Sequence, residues 1–112
     1  MNLSIISGRL TKDAKLLFTS SGKSCCVSSI AVREDRKPDE KESTFVDFVI
    51  WGPRAEKLSP MLTKGKSISI TGRLEINRSK KDDKTYINPR IVVETLEFLS
   101  RKKGSAVIEK SE

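Results

Sequence analysis

The chain has 112 residues, 22 Lys and Arg against 15 Asp and Glu, and a formal net charge of +7. That length supports one domain with a modest core and is too short for two. The positive excess points to an anionic partner, and nucleic acid is the commonest one for a small basic domain. With no histidine and only the adjacent Cys25 and Cys26, a structural zinc lacks a donor set, and no metal or other cofactor is expected. No paired-carboxylate site and no nucleophile with an evident base stand out, so an enzyme is the least expected class. The longest apolar runs, such as Ile91 to Val93, are far too short for a membrane helix. MNLSIISGRL lacks the basic leader and apolar stretch of a signal peptide. A cytoplasmic protein is expected, with both cysteines serving as small apolar fillers.

Asn2 to Leu10 reads as a first strand, bent at Gly8 and able to resume at Leu16 to Thr19. After a turn at Ser20 to Gly22, Ser24 to Arg33 form a second strand, polar enough that its core face is weakly specified. The run Arg33 to Glu42, REDRKPDEKE, is a solvated hairpin loop. Ser43 to Trp51 form a third strand, whose alternation puts Val46, Phe48 and Ile50 on a core face and Phe45 and Trp51 on the other.

Gly52 and Pro53 close that strand and start a short helix with Ala55, Leu58 and Leu62 on one stripe, interrupted at Pro60 and ended by Gly65. Ile68, Ile70, Leu74 and Ile76 then alternate with polar residues as a long half-buried strand. A basic hairpin tip, Arg78 to Lys84, leads to a last strand, Thr85 to Leu99, in which Pro89 signals a sheet edge or bulge. Five strands with one helix between the third and fourth is the order of an all-β OB-fold barrel. It is expected over residues 1–99, with residues 100–112 a flexible polar tail. An SH3-like barrel needs no helix there, and a ferredoxin-like fold needs two.

Five segments, MNLSIISGRLTKDAKL, SIAV, TFVDFVIWGPRAEKL, LTKGKSISITGRLE and INPRIVVETLEFL, occur in an order and spacing that resembles the bacterial-type single-stranded DNA-binding proteins. The likeness runs from Met1 to about Leu99. Its most specific elements are Gly8 to Asp13, the stretch with Trp51, Gly52, Ala55 and Glu56, and Lys64 to Leu74. The resemblance implies an OB-fold that forms a homotetramer, usually through dimers paired along their first strands. It also implies single-stranded DNA wound over the surface in replication, recombination or repair, at the nucleoid. Phe45 and Trp51 fall where the family carries base-stacking rings. Departures are present too. Arg36 and Ser79 stand where the family often places further rings, and Leu17 where it commonly has arginine. Asp47 adds a negative charge between Phe45 and Trp51, Ser28 replaces an apolar residue, and Pro60 interrupts a helix that is normally continuous. The family usually ends in an acidic, Phe-containing tip that recruits replication proteins. This chain ends RKKGSAVIEKSE, so such recruitment is not expected; a core segment and a shorter relative from a phage or mobile element remain open.

The mechanism these residues suggest is sequence-independent. Trp51 and Phe45 stack bases, with Tyr86 and Phe18 as weaker rings, while Arg33, Arg36, Lys37, Arg73, Arg78, Lys80, Lys81 and Lys84 track phosphates. The rival reading is an OB-fold protein-docking module of a primosome, conjugation or mobile-element system with residual DNA affinity. An RNA-binding domain of the cold-shock type shares the barrel and ranks third.

Overall fold

The structure is a computed structural model that describes residues 1–32 and 44–99. The predicted loop over 33–42 and tail over 100–112 lie outside the described residues, as do Arg33, Arg36 and Lys37. Six strands are present, β1 Ser4–Leu10, β2 Lys15–Phe18, β3 Ser24–Val32, β4 Thr44–Trp51, β5 Ser67–Lys81 and β6 Lys84–Phe98. A helix α1, Pro53–Leu58, runs into a 3-10 turn at Ser59–Met61. β1 pairs with β3 and β5, β3 with β4, β4 with β6, and β6 with β5, so five strands close a ring. The β4–β6 seam is parallel and holds only Phe48↔Ile91 and Val49↔Val92. This is the expected OB-fold, partly open at that seam.

The helix follows the fourth strand rather than the third, because the predicted first strand is two. β1 and β2 lie along one neighbour, β3, with Leu10↔Ile30 and Lys15↔Val27 as flanking pairs. Between them Thr11 to Ala14 bulge opposite only Ser28 and Ser29. The polar character of β3 has its cause here. Ser28 Oγ donates to Lys12 O at 2.9 Å, and the Ser29 and Thr11 hydroxyls share a hydrogen bond. Ser24 Oγ donates to Gly52 O at 2.9 Å. All three serines are buried; Ser28 and Ser24 satisfy carbonyls that the bulge and the turn remove from the ladder, and Ser29 pairs with the Thr11 hydroxyl.

Other boundaries shift for local reasons. β1 begins at Ser4, but the Asn2 amide continues its pairing, donating to Leu74 O and accepting from Leu74 N–H at 2.8 and 2.9 Å. Pro60 ends the helix; Gly65 instead turns the chain into β5, its N–H donating to Leu10 O. The supposed basic tip is a continuous ladder out to Lys81↔Lys84, closed by Asp82 and Asp83 alone. Both have positive φ, 53° and 65°, as a two-residue hairpin turn of the primed type requires. Pro89 sits where β6 has left β4, at an edge as expected, while the bulge falls at Thr71/Gly72 opposite Glu94.

The core lies inside the ring, built from Leu10, Cys26, Ile30, Phe48, Ile50, Ile68, Ile70, Ile91 and Val93. Ala55 and Leu62 are fully buried in the same cluster and plug one end. Leu74 and Ile76, expected on the apolar side of a half-buried strand, are exposed because the β5–β6 hairpin projects past the barrel.

Candidate nucleic-acid interface

Strand pairing places side chains in rows across the outer face of the barrel, since residues opposite one another share a face. One row runs Lys15, Val27, Val49, Val92 and Arg73. Its middle is apolar and its ends are cationic. A second row, Leu17, Cys25 and Trp51, lies beside it. Cys25, Val49 and Val92 form a small buried cluster on this face, with Val27 and Trp51 packed against it. Trp51 is therefore anchored along its apolar body and only half-exposed, with Lys23 Nζ 5.4 Å from the centre of its ring. Phe45, six residues away on the same strand and roughly 20 Å distant, is 68% exposed.

The hairpin continues the outer face. Arg73, Glu75, Asn77, Ser79 and Lys81 of β5 share it with Arg90, Asn88, Tyr86 and Lys84 of β6. Arg78 and Lys80 alternate onto the opposite side, opposite Ile87 and Thr85, so they do not converge with the rings. Phe18 likewise points away from the Leu17 side of β2. Asp47 stands exposed between Phe45 and Trp51, and Glu75 Oε1 accepts from Arg90 Nε at 2.7 Å.

Sequence reasoning missed three groups. Lys15 reaches this face through the β2–β3–β4 register and Lys23 from the turn before β3, neither of which a local pattern reveals. Lys12, in the bulge, lines a cavity of about 250 Å³ that opens where β4 and β6 part. Arg54, on α1, donates to Val93 O and Glu94 O, both at 2.5 Å, and ties the helix to the β6 bulge. Among the described residues no group of three or more metal-ligating side chains converges, and no helix is long and apolar enough to cross a membrane.

Comparison with known proteins bears on this surface. A model of the Single-strand binding protein family matches residues 1–99. The Single-stranded DNA-binding protein of Treponema pallidum is 32% identical over 109 residues, covering 95% of this chain and 62% of the relative. Single-stranded DNA-binding protein 1 of Streptococcus pyogenes is 33% identical, covering 95% of this chain and 84% of the relative. The Fusobacterium nucleatum counterpart is 34% identical, covering 99% and 75%. Among solved structures, a Plasmodium falciparum SSB complex with ssDNA superposes with a TM-score of 0.77 at 18% identity, covering 89% of this chain and 96% of that one. At that identity the likeness speaks for the fold. The chain thus spans less than two thirds of the Treponema relative's length.

Proposed function

The chain belongs to the single-strand binding protein family, and from that premise we propose that it binds single-stranded DNA in a sequence-tolerant way across the outer face of β3, β4 and β5–β6. The observation that carries this reading is the row Lys15, Val27, Val49, Val92, Arg73 with Trp51 beside it. An apolar strip bounded by cations suits a strand whose bases lie down and whose phosphates run along the rims. Trp51, held by Cys25, Val49 and Val92, offers a ring already fixed in orientation, so stacking costs little side-chain entropy. Phe45 and Tyr86 extend the ring set, and Lys12, Lys23, Lys81 and Lys84 extend the cations. Arg78 and Lys80 contribute only through long-range charge. The chain acts in the cytoplasm as a binding protein rather than an enzyme, covering strands exposed in replication, recombination or repair.

Self-association is part of the proposal. Leu3, just before β1, and Ile5, near its start, are 58% and 65% exposed, where only β5 is paired. An apolar, half-open strand is a surface for a second copy.

The test is a titration of Trp51 fluorescence with unlabelled oligo(dT), against a duplex of equal length, in the wild type and in Lys84→Ala. Strong quenching by the single strand, retained in Lys84→Ala, supports the reading. A parallel filter assay of Trp51→Ala is expected to show a loss of about 1–3 kcal/mol, more than Lys84→Ala loses. Equal affinity of Trp51→Ala and wild type removes the stacking claim.

A further inference from the structure

Asp47 is at odds with the surface it occupies. Its carboxylate stands on the outer face between Phe45 and Trp51, and it has no hydrogen-bond or ion-pair partner among the described residues. A carboxylate there adds nothing to phosphate binding, and toward a base it does one thing: it accepts N–H donors.

The cavity at the β4–β6 parting supplies the rest. It holds about 250 Å³ and is lined by Lys12, Val27, Asp47, Asn77, Asn88 and Arg90 among others. That is many times the roughly 10–15 Å³ that one water needs on this measure, room for a flat ring. Val27 belongs to the apolar strip and gives the ring a floor. Asn77 and Asn88 face each other in the hairpin register, and each amide offers both donors and an acceptor. Arg90 is held at Glu75 by its Nε, which fixes the wall beside them.

We propose that this cavity is a base-reading pocket selective for guanine, in which Asp47 accepts N1–H and N2–H of the Watson–Crick edge while Asn77 or Asn88 donates to O6. The assignment follows from the edges that an unpaired strand exposes. Guanine alone presents two adjacent donors beside an acceptor, which matches a carboxylate beside an amide. Adenine and cytosine offer a single exocyclic amino group. Thymine places one N–H between two carbonyl oxygens, and a carboxylate repels both. The inference rests on the single-strand reading above and gives it a base preference at one point along the strand.

The experiment is competition anisotropy on the full chain with three strands of equal length: oligo(dT), the same strand with one central dG, and the same strand with inosine there. Inosine keeps N1–H and O6 and lacks the amino group. The dG strand is expected to compete about fivefold better than oligo(dT) or more, with inosine between them. In Asp47→Ala the three strands are expected to become equal, and oligo(dT) to bind more tightly than to the wild type. Equal competition by all three strands with the wild type, or a dG preference that survives in Asp47→Ala, overturns the guanine pocket and leaves single-strand binding standing. Failure of every strand to compete overturns the single-strand reading itself.

Discussion

Cys25 and Cys26 are neighbours in sequence and live in different media. Strand alternation turns Cys26 into the barrel core, where it is fully buried, and Cys25 into the small cluster under Trp51. Burial disfavours a thiolate, and the nearby Cys25 adds repulsion, so the Cys26 thiol is pushed up to about 11 from an ordinary value of 9.0. The folded state then binds its proton more tightly than the unfolded chain does. The stability this represents is fully present below pH 9 and is lost as pH rises through 11. Cys26→Ala removes the titration while leaving every lysine in place, so urea denaturation of the two proteins isolates it. The stability gap in favour of wild type is expected to narrow by roughly 2–3 kcal/mol between pH 8 and pH 11.5. A gap that stays constant across that range means the thiol ionises alike in both states.

At the scale of elements, the barrel is held by close approaches between backbones. At Gly8, β1, already paired with β5, meets β3 on its other side, and a Cβ there comes within 2.6 Å of Ile30 Cγ2 and crowds the Ala31 carbonyl. At Gly72, in the β5–β6 bulge, a Cβ runs into the Val92 carbonyl. Neither neighbour can yield as a flexible side chain does. Gly72→Ala is therefore expected to cost at least about 2 kcal/mol, read as a lower urea midpoint with an unchanged slope. Wild-type stability in that variant means the ladder slips freely at the bulge. The segments that single out the family meet nearby for related reasons. Asp13 Oδ1 accepts the Lys64 N–H at 2.8 Å, and Ala14 N–H donates to Leu62 O at 2.8 Å. The GRLTKD and LTKG stretches thus tie the β1–β2 bulge to the turn into β5, a contact that their sequence does not announce. Strand order, the short helix and the core positions of β4 were legible because period-2 alternation and Pro53 are local signals. The break in the first strand and its resumption near Leu16 were legible too, but not their cause, because the serines that stabilise the break sit on β3, more than a dozen residues away. The hairpin was read too short because Lys80, Lys81 and Lys84 look like loop residues until two aspartates with positive φ are seen to make the turn.

At the scale of the molecule, the candidate surface was half legible: the sequence showed Phe45 and Trp51 to share a face, while the register alone shows which cations join them. They fall into two groups. Lys12, Lys15, Lys23 and Arg73 surround the apolar strip on the barrel, whereas Lys81 and Lys84 sit at the far end of the hairpin, with Lys81 eight residues beyond Arg73 on β5 and roughly 26 Å from it. A short strand centred on Trp51 can neutralise only the first group; a long one can reach both. Each phosphate neutralised on a single strand contributes about −0.7 to the slope of log affinity against log salt. A short oligo(dT) is then expected to give a slope of roughly −3 and a long one roughly −4. In a Lys81→Ala/Lys84→Ala double variant the long-strand slope is expected to fall in magnitude by about 1.4, to the short-strand value, with the short-strand slope unaltered. Both lysines are exposed and pair only with each other in register, so the variant keeps the fold, and loss of slope reports contact rather than unfolding. A slope that changes equally for both lengths would mean that DNA starts on the hairpin and not at Trp51, and a slope that changes for neither would take the hairpin out of the path of the strand.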